Sequence, residues 1–154
     1  MKRQIRSGVF ETNSSSVHTI TFDNTGLRER DPNDLRIDRN GKILVDFGKF
    51  GTEYAIYKRQ SDKLSYLMTC FVYMLGRYCI PEEIYGAYEF YLIEKAVMKH
   101  CPECTGIKLI RYTDPYIDHQ SVPNDYIECV NIYDEDEVIN FIFNEHILLK
   151  TYHD

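Results

Sequence analysis

Three groups of residues in this chain have types and spacings that could support chemistry. The first is Thr12-Asn13-Ser14-Ser15-Ser16, followed by Val17 and His18. Hydroxyls, an amide and free backbone N–H groups packed into one tight loop beside an imidazole could hold an anion or a partner. If the fold brought His119 or His18 near Ser14, Ser15 or Ser16, a serine–histidine pair oriented by Asp118 or Glu11 could serve a small hydrolase or a nucleic-acid-modifying enzyme. No Gly-x-Ser-x-Gly elbow accompanies these residues, and a polar turn entering a strand explains them equally well. The second group is Cys101-Pro102-Glu103-Cys104, preceded by His100. Two thiolates at this spacing can reach one tetrahedral zinc, with further ligands drawn from Cys79, Cys129, His119 or His100. Without a second Cys-x-x-Cys pair, two free thiols are the competing reading, and five cysteines suit free thiols better than a disulfide framework. The third is Asp134-Glu135-Asp136-Glu137, four carboxylates that could imitate phosphate on a competing surface or simply favour the start of a helix.

Charge divides the chain. Residues 1–60 carry 11 Lys+Arg against 8 Asp+Glu, a balance of +3, whereas residues 61–154 carry 7 against 16, a balance of −9. The basic third, with Lys2, Arg3, Arg6, Arg28, Arg30, Arg36 and Arg39, could contact nucleic acid. The acidic remainder could compete for the nucleic-acid groove of another protein. Tyrosine is the compositional outlier, with 13 residues beside 8 Phe and no Trp. Its apolar body and polar tip suit the margin of a core, and a few exposed copies would make a binding surface. Walker loops, dinucleotide fingerprints, His-Glu-x-x-His and EF-hand loops are absent from the sequence, which lowers the standing of nucleotide-cofactor enzymes.

The elements that must position these groups are legible in outline. Val17–Phe22 alternates as a half-buried strand, and residues 23–34 form a charged loop. Asn40-Gly41 between Leu35–Asp38 and Ile43–Phe47 is a hairpin signal. Ser61 reads as the N-cap of a central helix running to about Tyr78, with Leu64, Leu67, Met68, Phe71 and Leu75 on one stripe. Pro81, with Glu82 and Glu83, opens a second helix to about Lys99. Its Ile84, Tyr88, Tyr91, Leu92 and Val97 are expected to face the first helix, with Glu89, Glu94 and Lys95 outward. Strands are expected at Ile107–Tyr112, Tyr126–Ile132 and His146–Lys150. Asp134 should cap a helix over residues 135–143. At 154 residues, with 44% hydrophobic and 27% charged residues, the chain suits one domain, residues 1–154. The expected fold class is α+β, a mixed or antiparallel sheet packed on a pair of central helices. Neither an apolar run of membrane-spanning length nor a secretory signal pattern follows the basic start Met1–Arg6, so the expectation is a cytoplasmic protein away from membranes.

Gly8-Val9-Phe10-Glu11-Thr12-Asn13-Ser14-Ser15-Ser16-Val17-His18, with Tyr116–Ser121 and Asn140–Asn144 downstream, resembles a set of short proteins of bacteriophages and bacterial mobile elements. The resemblance implies a setting, an infected bacterium, and admits an anti-CRISPR-like role in which the protein occupies the surface of a host defence effector such as a CRISPR nuclease. On that reading Asn13, Ser14, Ser15, Ser16 and His18, with Asp134, Glu135, Asp136 and Glu137, would contact the partner. The alternative is the enzyme built from Ser14, Ser15, Ser16, His18 and His119, with or without zinc at Cys101 and Cys104.

Overall fold

A computed structural model describes residues 5–8, 16–22, 34–76, 80–111, 115–117 and 130–153, and the structural statements below concern these. Strands β1 (Ile5–Gly8), β2 (Ser16–Phe22), β5 (Ala55–Tyr57) and β8 (Ile147–His153) form a four-stranded antiparallel sheet in the order β1-β2-β8-β5. β2 and β8 are its inner strands, paired along their whole length from Phe22↔Ile147 to Ser16↔His153. Two further strand pairs are parallel. β3 (Lys42–Asp46) pairs with β6 (Gly106–Arg111), and β4 (Lys49–Phe50) pairs with β7 (Tyr116–Ile117). The fold class is therefore α+β with mixed pairing, as expected.

The centre of the molecule is α1 (Gln60–Leu75). Leu64, Tyr66, Leu67, Met68, Cys70, Phe71 and Val72 are all buried, so this helix is apolar on nearly every side, the mark of a core helix. Fully burying each large apolar side chain contributes about 1.5–3 kcal/mol. An aromatic chain runs outward from it, with the Tyr66 ring centroid 5.2 Å from Phe50 and 6.2 Å from Phe141. Ser61 does not cap the helix. Arg59 holds the cap position, while Ser61 lies inside the first turn and gives both its N–H (3.1 Å) and its hydroxyl to the Asp34 carboxylate. Asp34 thus supplies from a distant loop the acceptor that a side-chain cap would provide locally. The helix ends at Leu75, with Gly76 at φ +118° closing it through its N–H to the Val72 carbonyl.

The second expected helix is two. α2 (Pro81–Tyr85) and α3 (Tyr88–His100) are separated by Gly86 and Ala87. Gly86 lets the chain turn tightly, since a Cβ there would lie 3.1 Å from the Glu82 carbonyl oxygen. The buried stripe of α3 is Phe90, Ile93, Ala96 and Val97, which leaves Tyr88 and Tyr91 exposed instead of facing α1. Glu94 is not simply outward either, because its carboxylate accepts the Ile107 N–H (2.9 Å) and joins α3 to β6.

The Asn-Gly hairpin forms in reduced scope. Gly41 sits at φ +78° after Asn40, the Asp38 carboxylate accepts the N–H groups of Asn40 (2.8 Å) and Lys42 (2.9 Å), and a single bridge joins Ile37 to Ile43. The second arm then leaves its neighbour to pair with β6. Helix α4 (Glu135–Phe143) has the expected bounds and the expected Asp134 cap, whose side chain accepts the Glu137 N–H (3.2 Å). Val130 and Ile132, from the expected strand at 126–132, lie in a bend and turn and are buried, while residues 121–129 are outside the described set. Among the described residues no helix is long and apolar enough to cross a membrane.

Candidate functional site

The surface with the clearest functional character is built on α3 and the turn before α4. With Phe90, Ile93 and Val97 turned into the core, helical geometry places Tyr88 and Tyr91, three residues apart, side by side on the opposite face. Their rings stack, centroids 6.0 Å apart at 25°. Tyr133 joins them from the other element. Buried Val130 and Ile132 anchor its segment, and the Asn131 side chain accepts its N–H (3.1 Å), which holds the turn. The Tyr133 hydroxyl donates to Glu89 (3.4 Å), lying between the other two tyrosines in sequence. Partial burial and then the Glu89 carboxylate push the Tyr133 phenol above its ordinary range, so it stays a neutral donor at physiological pH. Tyr88, Tyr91 and Tyr133 remain 61%, 53% and 55% exposed, too much for core tyrosines.

The acidic run flanks this surface and is largely engaged within the chain. Asp134 caps α4, and Glu137 accepts the Asn131 N–H (3.3 Å). Glu135 pairs with Lys99 (3.4 Å) and Lys95 (4.0 Å) on α3. These are half-exposed pairs, each contributing about 0–1 kcal/mol. Asp136 is exposed. Of the run, Glu135 ties α4 to α3, and exposed Asp136 leaves an acidic margin beside the tyrosines.

The other sequence candidates are dispersed or lie elsewhere. Asn13, Ser14, Ser15, Asp118, His119 and Ser121 fall outside the described residues. Ser16 and His18 lie on β2, whose backbone pairs them with His153 and Thr151 of β8. From the third family-like patch, Asn144 donates through its side chain to Asn140 (3.0 Å) and accepts the His146 N–H (3.0 Å), so it shapes the turn from α4 into β8. Of the basic third, Lys2, Arg3, Arg28 and Arg30 are outside the described residues and Arg6 lies on β1. Arg36 pairs with Asp46 at 3.1 Å.

Cys101 and Cys104 do come together. The Cys104 N–H donates to the Cys101 carbonyl (3.0 Å) in a tight turn directly after α3. The ligand atoms of Cys101, Glu103 and Cys104 lie within 4.8 Å of one another. Burial, then the neighbouring Cys104 and Glu103, push the Cys101 thiol up to about 11, and burial with Glu103 also raises Cys104. Both are neutral thiols at physiological pH, the opposite of an activated nucleophile. His100, weighed as a fourth ligand, instead stacks on Phe143 with ring centroids 3.9 Å apart.

Sequence reasoning turned Tyr88 and Tyr91 toward the first helix, and the missed signal is the competing stripe of Phe90, Ile93, Ala96 and Val97, which holds no polar tip and so takes the interior first. Searches of protein-family models, curated proteins and solved structures find no match to this chain.

Proposed function

We propose that this chain is a small binding protein that occupies a surface of another protein, with Tyr88, Tyr91 and Tyr133 as its anchors. The observation that carries the reading is the contiguous exposed tyrosine face, joined by ring stacking and by the Tyr133–Glu89 hydrogen bond. Tyrosine supplies large, stiff contact area with one polar tip, which is why it concentrates at the centres of protein interfaces. Glu89 and Asp136 set the sign of the charge around it, as does the −9 balance of residues 61–154. The complementary partner surface is rich in arginine and lysine, able to stack guanidinium groups on the rings and pair with the carboxylates. Nucleic-acid-handling proteins expose such surfaces. The resemblance to phage and mobile-element proteins makes a bacterial defence effector, a guide-loaded CRISPR nuclease among them, the first partner to try.

The test is affinity capture from bacterial lysate supplemented with guide-loaded CRISPR nucleases, run in parallel with the wild-type chain and a Tyr88→Ala/Tyr91→Ala/Tyr133→Ala variant. The reading expects a stoichiometric partner with the wild type and at least a tenfold loss of affinity with the variant, since interface anchors typically cost about 1–2 kcal/mol or more each on truncation. Equal capture by both chains, or no partner for either, removes it.

A further inference from the structure

We propose that Cys101, Glu103 and Cys104 form a binding site for one thiophilic divalent ion, zinc foremost, independent of the tyrosine face. Two sulfurs and a carboxylate oxygen within 4.8 Å of one another are a three-donor set of the kind that holds zinc with a fourth position left for water or an outside ligand. The turn that presents them is fixed from two sides. The Cys101 N–H donates to Val97 at the end of α3 (2.9 Å). On the other flank, the Thr105 N–H reaches the Gly41 carbonyl (2.8 Å), its hydroxyl reaches the Asn40 carbonyl (2.7 Å), and Lys42 donates to the Thr105 carbonyl (2.8 Å). The turn is thus clamped between α3 and the Asn40-Gly41 hairpin. Donors held in this way need little further ordering when an ion arrives.

Access is graded in the direction a ligand would need. Cys104 is buried, Cys101 half-buried and Glu103 exposed, so the site opens to solvent on the carboxylate side. The turn also lies at the C-terminal end of α3, where the helix dipole favours a cation. On binding, each thiol releases its proton to solvent as its Sγ–metal bond forms. One divalent ion therefore exchanges for two protons, and with the Glu103 carboxylate the filled centre carries a net charge of −1. Glu103 distinguishes this site from a plain pair of thiols, because its carboxylate lies within 4.8 Å of both sulfurs.

The experiment titrates Co2+, as a spectroscopic stand-in for Zn2+, into the full chain kept reduced by a non-thiol reductant. One equivalent should bind with a sulfur-to-cobalt charge-transfer band in the near ultraviolet, and Zn2+ should displace it. Cys101→Ser should abolish the band. Glu103→Gln, at an exposed position where folding is not at risk, should keep the band and weaken binding at least tenfold. A band that survives Cys101→Ser, affinity unchanged by Glu103→Gln, half an equivalent per chain, or no binding of either ion overturns the proposal.

Discussion

Lys63 is the residue whose replacement tests the energetics of this fold most sharply. It sits in α1 with no exposed surface, and its ammonium donates to the carbonyls of Asn144 (3.1 Å) and Ile147 (3.2 Å), bridging the central helix to the turn between α4 and β8. The Phe141 ring lies 6.0 Å from the nitrogen. Burial lowers its pKa from 10.5 to about 8, opposed only in part by the Asp34 charge. A shift of that size means that carrying the proton at pH 7 costs the folded state about 3 kcal/mol. Lys63→Met removes that cost but takes the ammonium from the buried Ile147 carbonyl, at about 1–3 kcal/mol, and from the part-buried Asn144 carbonyl, which keeps the Ile147 N–H (3.0 Å) and so loses less. The two effects nearly offset at pH 7, where the variant should lie within about 2 kcal/mol of wild type. They separate as pH rises. Folded wild type sheds the Lys63 proton near pH 8, whereas the unfolded chain keeps it until about 10.5, so the unfolded state binds more protons throughout that window. Stability due to Lys63 must then rise with pH, by up to about 1.4 kcal/mol per unit. The neutral amine still has one N–H for each carbonyl. Urea unfolding of both chains at pH 7, 8, 9 and 10 should show the gap in favour of wild type widening by about 2–3 kcal/mol. Taking the difference cancels Tyr57 and Cys101, which titrate in both chains. A gap that stays flat or narrows with pH refutes the reasoning.

Other substitutions probe separate joints. Asp34→Ala removes the outside acceptor for the first turn of α1 and should cost about 1–2 kcal/mol in urea unfolding, with Ser61→Ala costing less because its N–H still reaches Asp34. Gly106→Ala should destabilise by about 1–3 kcal/mol, since Gly106 sits at φ +139° and a Cβ there would lie 2.8 Å from Lys42 Nζ and 3.0 Å from Glu94, the carboxylate that ties α3 to β6. Cys101, with its thiol pushed up to about 11, should alkylate with iodoacetamide at pH 8 far more slowly than a free cysteine, as followed by mass spectrometry; labelling at the free rate contradicts that placement.

Local patterns in the sequence foretold the elements that local physics decides. The Asp134 cap and the Val138, Phe141 and Ile142 stripe set α4 to the residue, and the apolar density of residues 64–72 marked α1 as central. Asn40-Gly41 specified its turn but not the fate of the strand behind it. Parallel pairing of β3 with β6 joins segments more than 60 residues apart, which no short-range signal encodes. The Gly86–Ala87 break was hidden because one glycine is tolerated in a helix, and its close approach to Glu82 is visible only in three dimensions. Ser61 looked like a cap because its type suits one, while Asp34 was placed by a contact across 27 residues. At the candidate site, the spacing of Tyr88 and Tyr91 already put them on one face. Which face was open depended on how Phe90 and Ile93 packed. Tyr133 and Glu89 could meet only once α4 had docked on α3. The Cys-x-x-Cys pair was evident from its spacing, but the approach of Glu103 to both sulfurs came from the turn's geometry.

The most direct measurement of the central claim is hydrogen exchange on the complex formed with the captured partner. Protection should appear in the backbone of residues 85–91 and 131–137, which carry Tyr88, Glu89, Tyr91, Tyr133 and the acidic turn, and should vanish when the three tyrosines are replaced by alanine. Protection confined to the β1-β2-β8-β5 sheet, with residues 85–91 and 131–137 exchanging as in the free chain, would place the interface elsewhere and contradict it.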